Sequence, residues 1–177
     1  MDKSDLSDDY PAVLATMKST CRELDKDQSW RDQYEEQLHD LTSNKFSREV
    51  SKTELEDWIK SGGKTYWISH QMVIDPGNKS TPMRCVFNSS QRFKGYSLNA
   101  CWDLGSDMTG NLHGILMRFR QGNVTAQGDI RKMYYGVRVT KEEEFMQLYM
   151  LRFKGEENIK VFAMTRLVIN HLPIVLR

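Results

Sequence analysis

Asp129 is the residue of this chain best placed to do chemistry. It sits in Val124-Thr-Ala-Gln-Gly-Asp129-Ile-Arg-Lys-Met-Tyr134-Tyr-Gly-Val-Arg-Val139. The stretch reads as a short strand, an acidic residue at its tip, one helical turn and a second strand. Val124 and Ala126 alternate with polar neighbours, as do Tyr135, Val137 and Val139, which is the period of a half-buried strand. A carboxylate at a strand end, followed by two aromatics, suits a metal ion held beside a flat substrate. Taken alone, the stretch favours a plainer reading, in which an Asp after Gly closes a turn or caps a helix. Its surroundings decide.

Those surroundings belong to a chain of 177 residues, 39% hydrophobic and 10% aromatic, enough for one domain with a real core. No apolar run is long enough to cross a bilayer, and the acidic, polar start of the chain is unlike a secretory signal. Cys21, Cys85 and Cys101 lie far apart without metal-ligand spacing, so they read as reduced thiols. The expectation is an intracellular, cytoplasmic protein with no membrane contact. The net charge of +1 conceals an asymmetry. Residues 1–60 carry 9 Lys/Arg against 15 Asp/Glu, and residues 61–177 carry 16 against 9. A basic second part can face phosphates, although ordinary solvated surfaces carry similar bias.

The elements that must position Asp129 follow in order. Asp9, with Pro11 in the first turn, predicts a helix carrying Val13, Met17, Cys21 and Leu24 on one face. Ser29 opens a second, with Trp30, Tyr34, Leu38 and Leu41 aligned. Ser51 and Glu54 form a capping box for a short third helix bearing Leu55, Trp58 and Ile59, stopped at Gly62 and Gly63. Strands are predicted at Tyr66–Ile68, Met72–Ile74 and Met83–Phe87, the last two as a hairpin with a basic tip. Asp107 should cap a helix over Met108–Arg120 that buries Leu112, Ile115, Leu116 and Phe119. Thr140 and Glu143 make another capping box, and Leu148–Phe153 pairs with Ile159–Ile169. His39 reads as a surface residue, and His70 and His113 as structural. Helices followed by mixed strands and helices give an α+β fold: a helical segment over 1–63, then a mixed domain over 64–177.

Four blocks in this order carry a resemblance. They are Ser80-Thr-Pro-Met-Arg84-Cys-Val-Phe87-Asn-Ser-Ser90, Gly95-Tyr-Ser-Leu98-Asn99, Leu112-His-Gly-Ile-Leu-Met-Arg-Phe119-Arg120 and Gly128-Asp-Ile-Arg-Lys-Met-Tyr134. Together they resemble the reverse transcriptase of BEL/Pao-type long-terminal-repeat retrotransposons, over about residues 20 to 173. The resemblance implies a partial right-hand polymerase, with fingers and the first part of the palm. It also implies that Asp129, with the Ile130 carbonyl, binds catalytic magnesium ions (Mg2+). Tyr134 would lie under the incoming sugar, and Arg84 and, less directly, Lys79 would contact the triphosphate. The partners so implied are an RNA or DNA template-primer and deoxynucleoside triphosphates.

The family completes its metal site with an Asp-Asp hairpin, and no Asp-Asp follows Asp129 here; the one in this sequence is Asp8 and Asp9. Asn170 also stands near a position that is usually Gly in the family, with Pro173 matching. The expectation is therefore a fragment of an RNA-directed DNA polymerase, inactive in isolation. The alternative is a non-catalytic, retroelement-derived remnant that binds nucleic acid.

Overall fold

The structure, a computed structural model, describes residues 9–78, 82–102, 110–128 and 132–168. It is a mixture of helices and small sheets, as the sequence predicts for an α+β chain. Helix α1 (Tyr10–Leu24) buries Val13, Met17, Cys21 and Leu24, the stripe read from the sequence. Asp9 does not cap it. The Asp9 carboxylate is buried and accepts the Trp67 N–H at 3.0 Å, tying the helix start to a distant segment. Helix α2 (Gln28–Ser43) begins before Ser29, because Asp27 is the cap, its Oδ1 accepting the N–H groups of Ser29 and Trp30. It buries Tyr34, Leu38 and Leu41, while Trp30 is half-buried.

Arg31 is the one arginine on the buried face of α2. It is 2% exposed, yet its guanidinium meets Asp25 at 2.8 Å, Glu35 at 2.5 Å and the Arg152 carbonyl at 2.7 Å. A buried charge is tolerated only when so fully paired.

Strand β1 (Ser47–Val50) follows, inside the segment read as helical. It is short, and its partner lies more than a hundred residues away, so no local signal announced it. Ser51 then caps α3 (Lys52–Lys60) through the Glu54 N–H at 3.1 Å. The Glu54 carboxylate does not close the capping box; it takes Arg48 instead, at 2.9 and 3.0 Å. Ile59 is exposed, while Leu55 and Trp58 pack on the core.

Strands β2 (Ser69–Ile74) and β3 (Met83–Asn88) form the predicted antiparallel hairpin, with Val73 opposite Arg84. The segment 66–68 is not a strand of its own; Trp67 makes an isolated parallel bridge to Leu148. Next come a short helix α4 (Leu98–Cys101), helix α5 (Leu112–Phe119) and a 3-10 turn at Met133–Gly136. Helix α6 (Lys141–Glu144) carries the predicted Thr140–Glu143 capping box, both bonds present. Strand β5 (Lys160–Met164) lies between β1 and β4 (Leu148–Leu151), antiparallel to both. One buried cluster runs from α1 and α2 through β1 to β4 and β5, and so crosses residue 63.

Three expectations around Asp129 fail. Residues 124–127 are irregular rather than a strand, and Val124 is 90% exposed. Residues 135–139 are not a continuous strand: Tyr135 belongs to the 3-10 turn, and pairing is limited to a bridge of Arg138 with Arg166. Helix α5 is capped by Asn111, and its apolar stripe faces outward, with Leu112 62%, Ile115 43%, Leu116 47% and Phe119 45% exposed. Spacing suggests a stripe, but α5 buries no residue, because spacing does not say what lies against a helix. Asp107 and Met108 lie outside the described residues.

Candidate functional site

Arg84 owes its position to the two peptide groups beside it. The Gln37 side chain on α2 accepts the Cys85 N–H at 2.9 Å and donates to the Met83 carbonyl at 3.1 Å. One amide thus holds both neighbours of Arg84. Because strand side chains alternate, Met83 turns inward and Arg84 is exposed.

Tyr134 lies half-buried in the 3-10 turn, one residue before Tyr135. Tyr135 stacks on Phe46, with centroids 4.8 Å apart and planes 9° from parallel. Lys132 Nζ stands 5.5 Å from the centre of the same Phe46 ring and 3.9 Å from Asp40 Oδ2. Lys132 has φ of 55°, a left-handed backbone that lets the chain turn abruptly onto this platform. Burial raises the Tyr135 hydroxyl pKa, and the nearby Cys85 thiol adds to it. Cys85 and Tyr135, sequence neighbours of Arg84 and Tyr134, are both partly buried and pack against the one core.

Beneath them lies a polar chain that could be mistaken for a catalytic relay. His70 Nε2 is 2.8 Å from the Met150 carbonyl, which can only accept, so Nε2 carries the proton. Nδ1 is then an acceptor, and the Tyr34 hydroxyl donates to it at 2.5 Å. The Cys85 thiol lies beside that hydroxyl. Burial pushes the thiol up to about 12 and the imidazole down to about 4. Both stay neutral near pH 7, so the cluster holds neither a thiolate nor an imidazolium. It pins α2, β2 and β4 together, in agreement with the structural role read for His70.

Asp129, Ile130 and Lys79 lie outside the described residues. Among the described residues, no group of three His, Cys, Asp or Glu side chains could hold a metal. The sequence offers one carboxylate at Asp129 and one adjacent carbonyl. Two hard divalent ions, each wanting about six oxygens, are not held by that donor set. Among the described residues, nothing completes a two-metal centre.

No family model, curated protein or solved structure matches the chain.

Sequence reasoning singles out Arg84 and Tyr134 through motif blocks. It missed Gln37 and Phe46, which hold the segments carrying them. Gln37 lies one residue before Leu38 on a well-read helical stripe, and nothing in its spacing distinguishes it from a solvated glutamine. Phe46 sits between a helix end and an unpredicted strand, where no periodicity applies. No described helix is long and apolar enough to cross a membrane.

Proposed function

We propose that this chain comprises the fingers and the first palm segment of an RNA-directed DNA polymerase of the BEL/Pao retrotransposon type, non-catalytic by itself. The observation that carries the reading is the set of four sequence blocks in matching order, with Arg84 on a strand hairpin and Tyr134 just after Asp129. A guanidinium on the hairpin would bond triphosphate oxygens in pairs, and an aromatic under the sugar would collide with a 2′-hydroxyl. Lys79 in the hairpin tip would add a phosphate contact.

The test joins this chain to an intact palm and thumb from the same family and measures primer extension with Mg2+. The chimera should polymerise. Asp129→Asn should abolish extension and leave the melting temperature unchanged, since it removes a charge and almost no volume. Tyr134→Ala should retain deoxynucleotide incorporation and admit ribonucleotides. An Asp129→Asn chimera of full activity would overturn the reading. The second reading, a nucleic-acid-binding remnant, draws on the absence of an Asp-Asp pair after Asp129 and on the basic balance of residues 61–177. It predicts oligonucleotide binding by the chain and no extension by the chimera.

A further inference from the structure

Arg138 stands directly opposite Arg166 in an antiparallel bridge. The flanking bonds run from the Val139 N–H to the Thr165 carbonyl at 3.4 Å and from the Leu167 N–H to the Val137 carbonyl at 3.0 Å. That pattern makes Arg138 and Arg166 the narrow, non-hydrogen-bonded kind of pair. Cα atoms in such pairs come within about 4.5 Å, and the two side chains leave the same face of the ladder. Two arginine side chains therefore leave neighbouring backbone positions on one face, an arrangement in which like charges repel.

Nothing among the described residues relieves that repulsion. Neither arginine takes part in a salt bridge with a described carboxylate. Arg166 is half-buried, and its Nε is closed off from solvent without a hydrogen-bond partner. A buried guanidinium N–H with no acceptor is costly, and an oxyanion is the group that best satisfies it. The arrangement is a cationic fork with one donor already desolvated.

We propose that Arg138 and Arg166 together bind a phosphate oxyanion, carried either by a free polyphosphate or by the backbone of a nucleic-acid strand. Phosphate matches the pair in charge and in shape, because each planar guanidinium offers two parallel donors to two oxygens. Neither arginine is among the nucleotide contacts of the polymerase reading, and the site does not require that reading to hold.

The test uses the whole chain with two probes: sodium tripolyphosphate, followed by melting temperature, and a fluorescein-labelled single-stranded oligonucleotide, followed by anisotropy. Arg138 is exposed, so Arg138→Gln and Arg138→Glu should both fold. Tripolyphosphate should raise the wild-type melting temperature more than sodium chloride of equal ionic strength does. Arg138→Gln should weaken probe binding by roughly ten- to a hundredfold, the effect of one charged hydrogen-bonding partner. Arg138→Glu should abolish it and raise the melting temperature without ligand, because the new carboxylate pairs with Arg166. Loss in the oligonucleotide arm, with a salt slope reduced by about one, assigns the phosphate to a nucleic-acid strand. Loss confined to the tripolyphosphate arm assigns it to a free polyphosphate. The proposal is overturned if both probes bind the wild type no better than Arg138→Glu, or if Arg138→Glu melts lower while binding both probes unchanged.

Discussion

His70 shows how much one buried side chain can impose on a protein of this size. Its pKa is lowered to about 4 from an unfolded value of 6.5, because burial disfavours the imidazolium. Below pH 6.5 the unfolded chain therefore takes up a proton that the folded chain refuses, and stability falls as pH falls. Between pH 6.5 and 4 the slope approaches about 1.4 kcal/mol per pH unit, a total on the order of 3 kcal/mol. Urea midpoints measured across that window should show the loss, and His70→Gln should flatten the part due to this residue. Tyr34→Phe tests the same contact from the other side. It leaves Nδ1 buried without a donor and should cost about 1–3 kcal/mol in urea unfolding at pH 7. Equal midpoints for Tyr34→Phe and wild type would show that the 2.5 Å contact contributes nothing.

At the scale of elements, α5 and β3 behave in opposite ways. The α5 stripe is legible in the sequence and stands in solvent. Leu112→Gln and Leu116→Gln should each change stability by less than about 1 kcal/mol, where truncating a buried leucine costs about 2–5. A larger loss in thermal unfolding would mean that the stripe is covered. β3 depends on a residue that no pattern reveals. Gln37→Ala should free the Cys85 N–H and the Met83 carbonyl, costing about 1–3 kcal/mol and speeding hydrogen exchange at Cys85. Protection at Cys85 that survives Gln37→Ala would show that the strand holds itself.

What could be read in advance divides along the same line. The stripes of α1 and α2, the β2–β3 hairpin and the Thr140–Glu143 box are local signals, written within a few residues of each other. Strand β1 and the platform under Tyr135 depend on partners far along the chain, and spacing carries no trace of them. The irregular course of residues 124–127 is a further case. Alternation there matched a strand, but a strand also needs a neighbour, and the described structure supplies none for Val124. Of the candidate site, Arg84 and Tyr134 were legible as residue types in motif blocks. The contacts that hold their segments were not, because they run through Gln37 and Phe46 on distant parts of the chain.

For the molecule as a whole, the decisive fact is that one core spans residues 13 to 168. A cut after residue 63 removes α1, α2 and β1, and with them one neighbour of β5, the Tyr34 partner of His70 and the Gln37 partner of Cys85. Residues 64–177 alone should therefore fail to give dispersed amide resonances or a cooperative thermal transition. A folded 64–177 would show that the helical segment is separable. On the polymerase reading, the full chain, purified, should not extend a primer with magnesium or manganese, because no Asp-Asp pair follows Asp129 in the sequence. Template-dependent incorporation by the 177-residue protein would refute that expectation.

The strand order β1-β5-β4 has a consequence during synthesis. The middle strand is the last one made, and Ser47 must wait for Met164 before either finds its partner. At about 5–20 residues per second, the ribosome takes roughly 6 to 20 s to cover that interval. For all of it β1 has no β5 to pair with, and β4, once made, shares the wait. Neighbouring ribosomes on one message then carry the same open edge at the same stage, close enough for it to find a copy of itself. A holdase that covers β1 until β5 emerges would raise the yield of folded protein, and slowing translation between residues 50 and 160 would lower it.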